Sequence, residues 1–151
     1  EIKSDGSWHY MNSPIGRKKI VNLFARILRK EKDGSYVLVT PVEKIIIKVH
    51  DVPFIATSVE VSGNEKDTML KFTTNTGDTV IASKDYPIRI VINSKTKEPA
   101  PYILVRSNLE AKISRSVFYE LVNLGCEEKD DFGVWSGGNF FPFMKVSDLK
   151  G

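Results

Sequence analysis

The chain has 151 residues, 41% apolar and 27% charged, the balance of a soluble globular protein with enough aromatic side chains for a packed core. No apolar run approaches the ~18 residues of a membrane span, so no membrane partner is expected, and a net charge of +3 is small for a protein that must neutralise many nucleic-acid phosphates. The single cysteine, Cys126, excludes an intramolecular disulfide, and with no signal-peptide pattern in view a reducing, cytoplasmic location is expected.

In chain order, "DGSWHYMNSP" predicts a turn, a short strand at Trp8 to Met11 and a helix start, with Ser13 as N-cap and Pro14 in the first helical position. Ile20, Leu23, Phe24, Ile27 and Leu28 then recur at helical spacing, which carries the helix to about Lys30. Lys18, Lys19, Arg26, Arg29 and Lys30 lie off that stripe. With Arg17 and Lys32 they form either a solvated face or a surface for an acidic partner or RNA.

"EKDGS" reads as a turn, "YVLVT" as a strand ending at Pro41 and "KIIIKV" (44–49) as a strand. Strands are expected at 54–61, 68–74 and 88–93, with "NTGD" (75–78) a tight turn in which Gly77 is free to take positive φ. "SKTKEPAP" is a Pro-bearing loop of the kind that marks a lobe boundary. "YILVR" (102–106) is a strand. Ser107 and Glu110 have capping-box spacing, which predicts a helix over 108–124 stopped by a left-handed Gly125. "EEKDD" is an acidic turn, "VWSGGNFFPF" is strand material, and the tail from Met144 is expected to be loosely ordered.

The first and last thirds echo each other. Set 98 residues apart, "IGRKKIVNLF" (15–24) lies over "ISRSVFYELV" (113–122), aligning Arg17 with Arg115, and one extra residue brings Gly34 to Gly133. A duplication is the better explanation than chance. The expected fold class is α+β, with duplicated helix-plus-antiparallel-sheet lobes divided as 1–52 and 53–151.

"GVWSGGNFF" raises the question of a phosphate loop. Such a loop needs a helix directly after its glycines, and "NFFPF" is no helix start. Gly137-Gly138 therefore reads as a hairpin turn or bulge. Metal and nucleophile signals are weak: His9 and His50 are isolated, Cys126 lacks a partner at ligand spacing, and Ser136 lacks a nucleophile-elbow context. A Ser–His–Asp set is conceivable but has no spacing to support it. No cofactor is expected, and a non-enzymatic role is favoured over an enzyme.

Arg17 and Arg115 each lie beside an apolar stripe, where a guanidinium needs a partner. Either they form structural ion pairs, with Glu43 and Glu110 as candidates, or they hold an anion, joined by Arg106.

Several stretches together carry a resemblance: "DGSWHYMNSPIGRKKIVNLFARIL", "YVLVTPVEK", "VHDVPF", "FTTNTGD", "PYILVRSNLEAKISRSVFYELV" and "GVWSGGNFF". The chain resembles the bacterial family called domain of unknown function 1285, from Asp5 to about Phe143. That resemblance implies a duplicated fold whose second half is like a pleckstrin-homology domain. It also implies a cleft between the halves that takes a nucleotide-like ligand in signalling. It points to Ser13, Pro14 and Arg17, to Thr40, Pro41 and Glu43, to Asp51, Pro53 and Phe54, and to Thr74 and Asn75. In the second half it points to Arg106, Leu109, Glu110, Arg115, Trp135, Ser136 and Gly138.

Residues and resemblance together lead to one expectation: a bacterial binder of a small anionic, nucleotide-like ligand with a regulatory role. Arg17, Arg106 and Arg115 would hold the charge, Trp135 would stack on a ring, and Glu43, Asn75, Glu110 and Ser136 would complete the ligand-binding set. The alternative is a protein–protein interaction module without a small ligand, using the basic helix or a strand edge.

Overall fold

The structure is a computed structural model and describes residues 1–149. In chain order the elements are β1 (His9–Tyr10), β2 (Ser13–Pro14), α1 (Lys18–Arg26), β3 (Leu28–Lys30), β4 (Tyr36–Val39), β5 (Lys44–Ile47) and β6 (Phe54–Ser62). A 3₁₀ turn at Glu65–Asp67 leads to β7 (Met69–Thr74), β8 (Thr79–Ile81), β9 (Ile88–Ile92), β10 (Pro99–Arg106) and β11 (Leu109–Ile113). The chain closes with α2 (Arg115–Asn123), β12 (Cys126–Glu128), β13 (Asp131–Ser136), β14 (Asn139–Lys145) and α3 (Val146–Leu149). The protein is mostly β, with few and short helices.

A six-stranded sheet, in the order β8-β7-β6-β11-β10-β9, forms the centre. Every pairing in it is antiparallel except β6 with β11, where Ala111 faces Phe54 and Ile113 faces Ala56 in parallel. Alternation builds it: Leu70, Phe72 and Thr74 of β7 point inward, as do Leu109, Ala111 and Ile113 of β11. Ile2, Trp8, Ala25 and Leu28 pack into one core with Phe54, Phe72, Ile103, Leu121 and Phe141, so residues 1–52 share a core with the rest of the chain.

The first helix is shorter than its apolar spacing predicts. Ser13–Pro14 pairs with His9–Tyr10, and the Ile15 N–H donates to the Trp8 carbonyl. Ser13 is therefore not the N-cap; Arg17 is, without a side-chain cap. At the other end Leu28–Lys30 leaves the helix to pair with Tyr36–Leu38. Leu28 is fully buried in that strand, and the hairpin is set by Gly34 at φ +91 and by Asp33 accepting from Ser35.

The second helix also starts late. Ser107 and Glu110 make no capping box: Ser107, at φ +50, turns the β10–β11 hairpin, and 109–113 is strand. Ser114 caps α2 by accepting from the Val117 N–H. Gly125 directly follows the C-cap Leu124 but does not take a left-handed φ; it is needed where the Phe132 ring lies against the space a Cβ would fill. "SKTKEPAP" is the β9–β10 turn, with Pro99 and Pro101 inside β10, and it separates no lobes. Residues 144–149 finish β14 and form α3; the rest of the expected loose tail lies outside the described residues.

A helix followed by a three-stranded antiparallel sheet occurs near each end of the chain, as α1 with β3-β4-β5 and α2 with β12-β13-β14. The helices are nine residues each and begin at Lys18 and Arg115, 97 positions apart. Arg17 thus stands just outside its helix, whereas Arg115 opens its own. Gly34 turns a hairpin, but Gly133 sits within β13 at a bulge opposite Pro142.

Candidate functional site

Arg17 is exposed at the N-cap of α1, and Glu43 is exposed in the turn where the Thr40 hydroxyl oxygen accepts from its N–H. The two are not paired. Glu110 pairs with neither Arg17 nor Arg115. It meets Arg89 in a two-point bridge at 3.0 and 2.9 Å, and Arg89 lies over the Tyr102 ring at 4.5 Å. The Tyr102 hydroxyl donates to both oxygens of Asp51, at 3.1 and 3.0 Å. Burial first, and then the bond to this carboxylate, push the Tyr102 phenol up to about 12. This network links Asp51 to β9, β10 and β11, with Arg89 and Glu110 paired and Asp51 held by the Tyr102 hydroxyl.

Arg106 ends β10 and reaches α1. Its guanidinium donates to the Ala25 carbonyl at 2.6 Å, lies 3.7 Å from the Asp78 carboxylate and stacks 5.4 Å from the Phe54 ring centre. A cation at a helix C-terminus meets the negative end of the dipole and an orphan carbonyl. With Asn22, Arg26, Thr76 and Asp78 it lines a cavity of about 190 Å³ between α1 and the β7–β8 turn.

Ser136 and Asn75 are spent on the backbone. Ser136 is fully buried; it accepts from the Leu70 N–H at 2.9 Å and donates to the Ala82 carbonyl at 2.8 Å. The Asn75 amide accepts from the Ile55 N–H and donates to the Gly6 carbonyl. Gly137 and Gly138 turn the β13–β14 hairpin with φ +58 and +81, as the sequence predicts, and no helix follows them.

Trp135 is half-buried. Its indole N–H donates to Glu128 at 3.3 Å, Phe140 packs on it and the Lys66 ammonium lies 5.5 Å from the ring centre. It lines a cavity of about 320 Å³ with Val61, Leu70, Leu124 and Cys126. Burial, and then Glu128, push the Cys126 thiol up, away from the thiolate a nucleophile needs.

Asp5, Ser7 and His9 do come together, with the Ser7 hydroxyl 2.5 Å from Asp5 and 2.9 Å from His9 Nε2. The order is wrong for a catalytic triad, in which the histidine stands between. Serine has one proton, and the short bond to Asp5 takes it. His9 Nε2 is then a donor and cannot act as a base toward Ser7.

Arg115 stands apart from these. It lines a cavity of about 500 Å³ with Ile55, Asn93, Thr96, Glu98, Pro99, Ala100, Pro101, Lys112, Ile113, Ser114, Phe118 and Tyr119. Neither Arg115 nor Lys112 has an ion-pair partner among the described residues. Arg115 and Tyr119 are one helical turn apart on α2 and share a face; both are exposed. Asn93 shapes the facing wall by accepting from the Lys95 and Thr96 N–H groups. Arg106, Trp135 and Arg115 therefore line three different cavities, and the Arg115 cavity is built wholly from residues 55–119. Sequence reasoning missed Lys112 and Tyr119. The alternation of Leu109, Ala111 and Ile113 would have placed Lys112 on the outer face, had 109–113 been read as strand.

Among the described residues no group of three or more His, Cys, Asp or Glu side chains could hold a metal, and no helix is long and apolar enough to cross a membrane. The fold and the cavities define a mainly β, α+β protein with a basic cavity beside a helix start. The chain belongs to the DUF1285 family: the N-terminal domain of unknown function matches residues 1–52, and the C-terminal domain of this protein of unknown function matches residues 53–143. It is similar to the crystal structure of a DUF1285 family protein from Silicibacter pomeroyi DSS-3, with 47% identity over 99% of this chain and 81% of that one, at a TM-score of 0.93. A DUF1285 family protein from Shewanella baltica OS155 is 27% identical over 81% of this chain and 88% of that one, at a TM-score of 0.62. Comparison with curated proteins finds no similar sequence.

Proposed function

We propose that the protein binds a small anionic, nucleotide-sized ligand in the Arg115 cavity, as a regulatory binder and not as a catalyst. One observation carries this: Arg115 and Lys112, both without an ion-pair partner among the described residues, line the same 500 Å³ space with Tyr119 beside them. Two donors and the start of α2 suit a phosphate, and a tyrosine face suits a ring. Glu98, which also lines the cavity, would disfavour a second negative group there and favour a ligand with a polar or cationic edge. The Ser114 hydroxyl oxygen caps the helix by accepting from the Val117 N–H, which fixes the start of α2 at the cavity wall. The site then lies within 53–143, not in a cleft between lobes.

The duplication belongs to the same proposal, supported by the equal helices each followed by three antiparallel strands. A pleckstrin-homology-like second half is supported only by its run of strands closed by a helix. An interaction module is favoured by one separate feature. The edge strand β5 and its turn expose Val42 (91%) and Ile46 (74%), and an exposed apolar edge invites a partner strand.

Thermal unfolding against a panel of nucleotides and phosphorylated metabolites tests the ligand. At about 100 times its Kd a ligand adds roughly 2.7 kcal/mol, or a midpoint shift on the order of 5–10 °C for this size. A shift lost in Arg115→Ala and Lys112→Ala, both still folded, is the expected result. A broad panel without a shift would refute the proposal.

A further inference from the structure

Charge is distributed very unevenly along this chain. Residues 6–30 carry six of its 22 lysines and arginines and none of its 19 aspartates and glutamates. The remaining 126 residues hold 16 basic and all 19 acidic side chains, so the surplus of positive charge lies in this one segment.

The segment folds as a unit. The β1–β2 hairpin stacks on α1 through Trp8 and Phe24, whose rings are 6.4 Å apart, and Ile15 to Arg17 joins the two. The hairpin turns through Met11 at φ +48 and Asn12 at φ +67. That turn displays Tyr10 and Met11, which are 71% and 81% exposed. On α1, Lys19, Leu23 and Arg26 recur at helical spacing on the outer face, and Leu23 is 56% exposed. Arg17, Lys18 and Lys19 are exposed and have no ion-pair partner among the described residues. Asp78 faces Arg106 and Thr76, and Asp5, just outside the segment, accepts from the Ser7 N–H and hydroxyl and pairs with none of these cations.

We infer that this unit docks on the surface of an anionic lipid bilayer, with the Tyr10–Met11 tip entering the headgroup region and Arg17, Lys18, Lys19 and Arg26 facing the lipid phosphates. Charge complementarity selects the occupant. Six cations without an intervening carboxylate match a surface of dense, uniform negative charge. Exposed apolar side chains among them match an interface that is apolar just below its charge. A nucleic acid would use the cations but would leave Met11 and Leu23 in water. The sequence-based expectation of no membrane partner rests on the lack of a span, and a surface that lies on a bilayer needs none.

The test is vesicle co-sedimentation of the purified chain with neutral phosphatidylcholine and with phosphatidylcholine mixed with phosphatidylglycerol. Binding to the mixed vesicles alone, weakened by salt, is expected. Lys18→Glu with Lys19→Glu should lower the partition at least tenfold. Met11→Asn, which tolerates the left-handed turn, should lower it severalfold. All three positions are exposed, so the variants should keep the wild-type melting curve. An environment-sensitive dye on Met11→Cys should shift to the blue on mixed vesicles. No binding at low salt would overturn the inference, as would equal binding by the charge-reversed variant, or retention of an RNA where vesicles are ignored.

Discussion

The Arg106 guanidinium donates to the Ala25 carbonyl at 2.6 Å, so the last residue of β10 closes the C-terminal end of α1. The same group lies over Phe54 and beside Asp78. It ties the segment matched by the N-terminal family model to the one matched by the C-terminal model. Arg106→Ala should cost about 1.5–3 kcal/mol, the range for a hydrogen bond to a charged group, read from urea unfolding. An unchanged midpoint would show that the contact contributes nothing. Because this cation is occupied, Arg106→Ala should leave any ligand response of the Arg115 cavity in place.

Ser136 has a comparable structural role. Its hydroxyl joins the Leu70 N–H to the Ala82 carbonyl inside the core. Ser136→Ala leaves both buried groups unsatisfied and should cost about 1–3 kcal/mol. A loss of ligand binding with no loss of stability would return Ser136 to the binding site.

The two hairpin glycines should differ. Gly138 faces open space, whereas a Cβ at Gly137 would come within 2.7 Å of the Ala82 carbonyl oxygen. Gly138→Asn should be nearly neutral, since asparagine tolerates positive φ. Gly137→Ala combines backbone strain with that clash and should lose more than about 1 kcal/mol. Denaturant midpoints of the two variants make the comparison.

The Tyr102 phenol, raised to about 12 by burial and by Asp51, predicts a pH dependence. The unfolded phenol titrates near 10. The folded state therefore holds the proton more tightly, and this group's contribution to stability is complete below pH ~10 and lost as pH rises toward 12. Tyr102→Phe should be less stable at neutral pH, where the Asp51 bonds are gone, and should lose less stability than the wild type between pH ~10 and 12. Urea midpoints across that window, with phenolate absorbance followed alongside, check both parts.

Local patterns settle much of this molecule. The alternation of Leu70 and Phe72, the Gly77 turn and the Gly137-Gly138 hairpin could be read from neighbours alone, because side-chain period and positive φ are properties of a few adjacent residues. The same holds for the unlikeness of residues 6–30 to the rest of the chain in charge. Tertiary pairing decided the rest. Leu109 to Ile113 is a strand because the parallel edge of β6 is there to receive it, a partner more than fifty residues away that outweighs the capping-box spacing of Ser107 and Glu110. Leu28 leaves its helix because β4 buries it. The arginines were visible, but their roles were not. Whether a guanidinium is spent on Ala25 and Glu110, as in Arg106 and Arg89, or open to a cavity, as in Arg115, depends on distances across the fold that no spacing along the chain encodes.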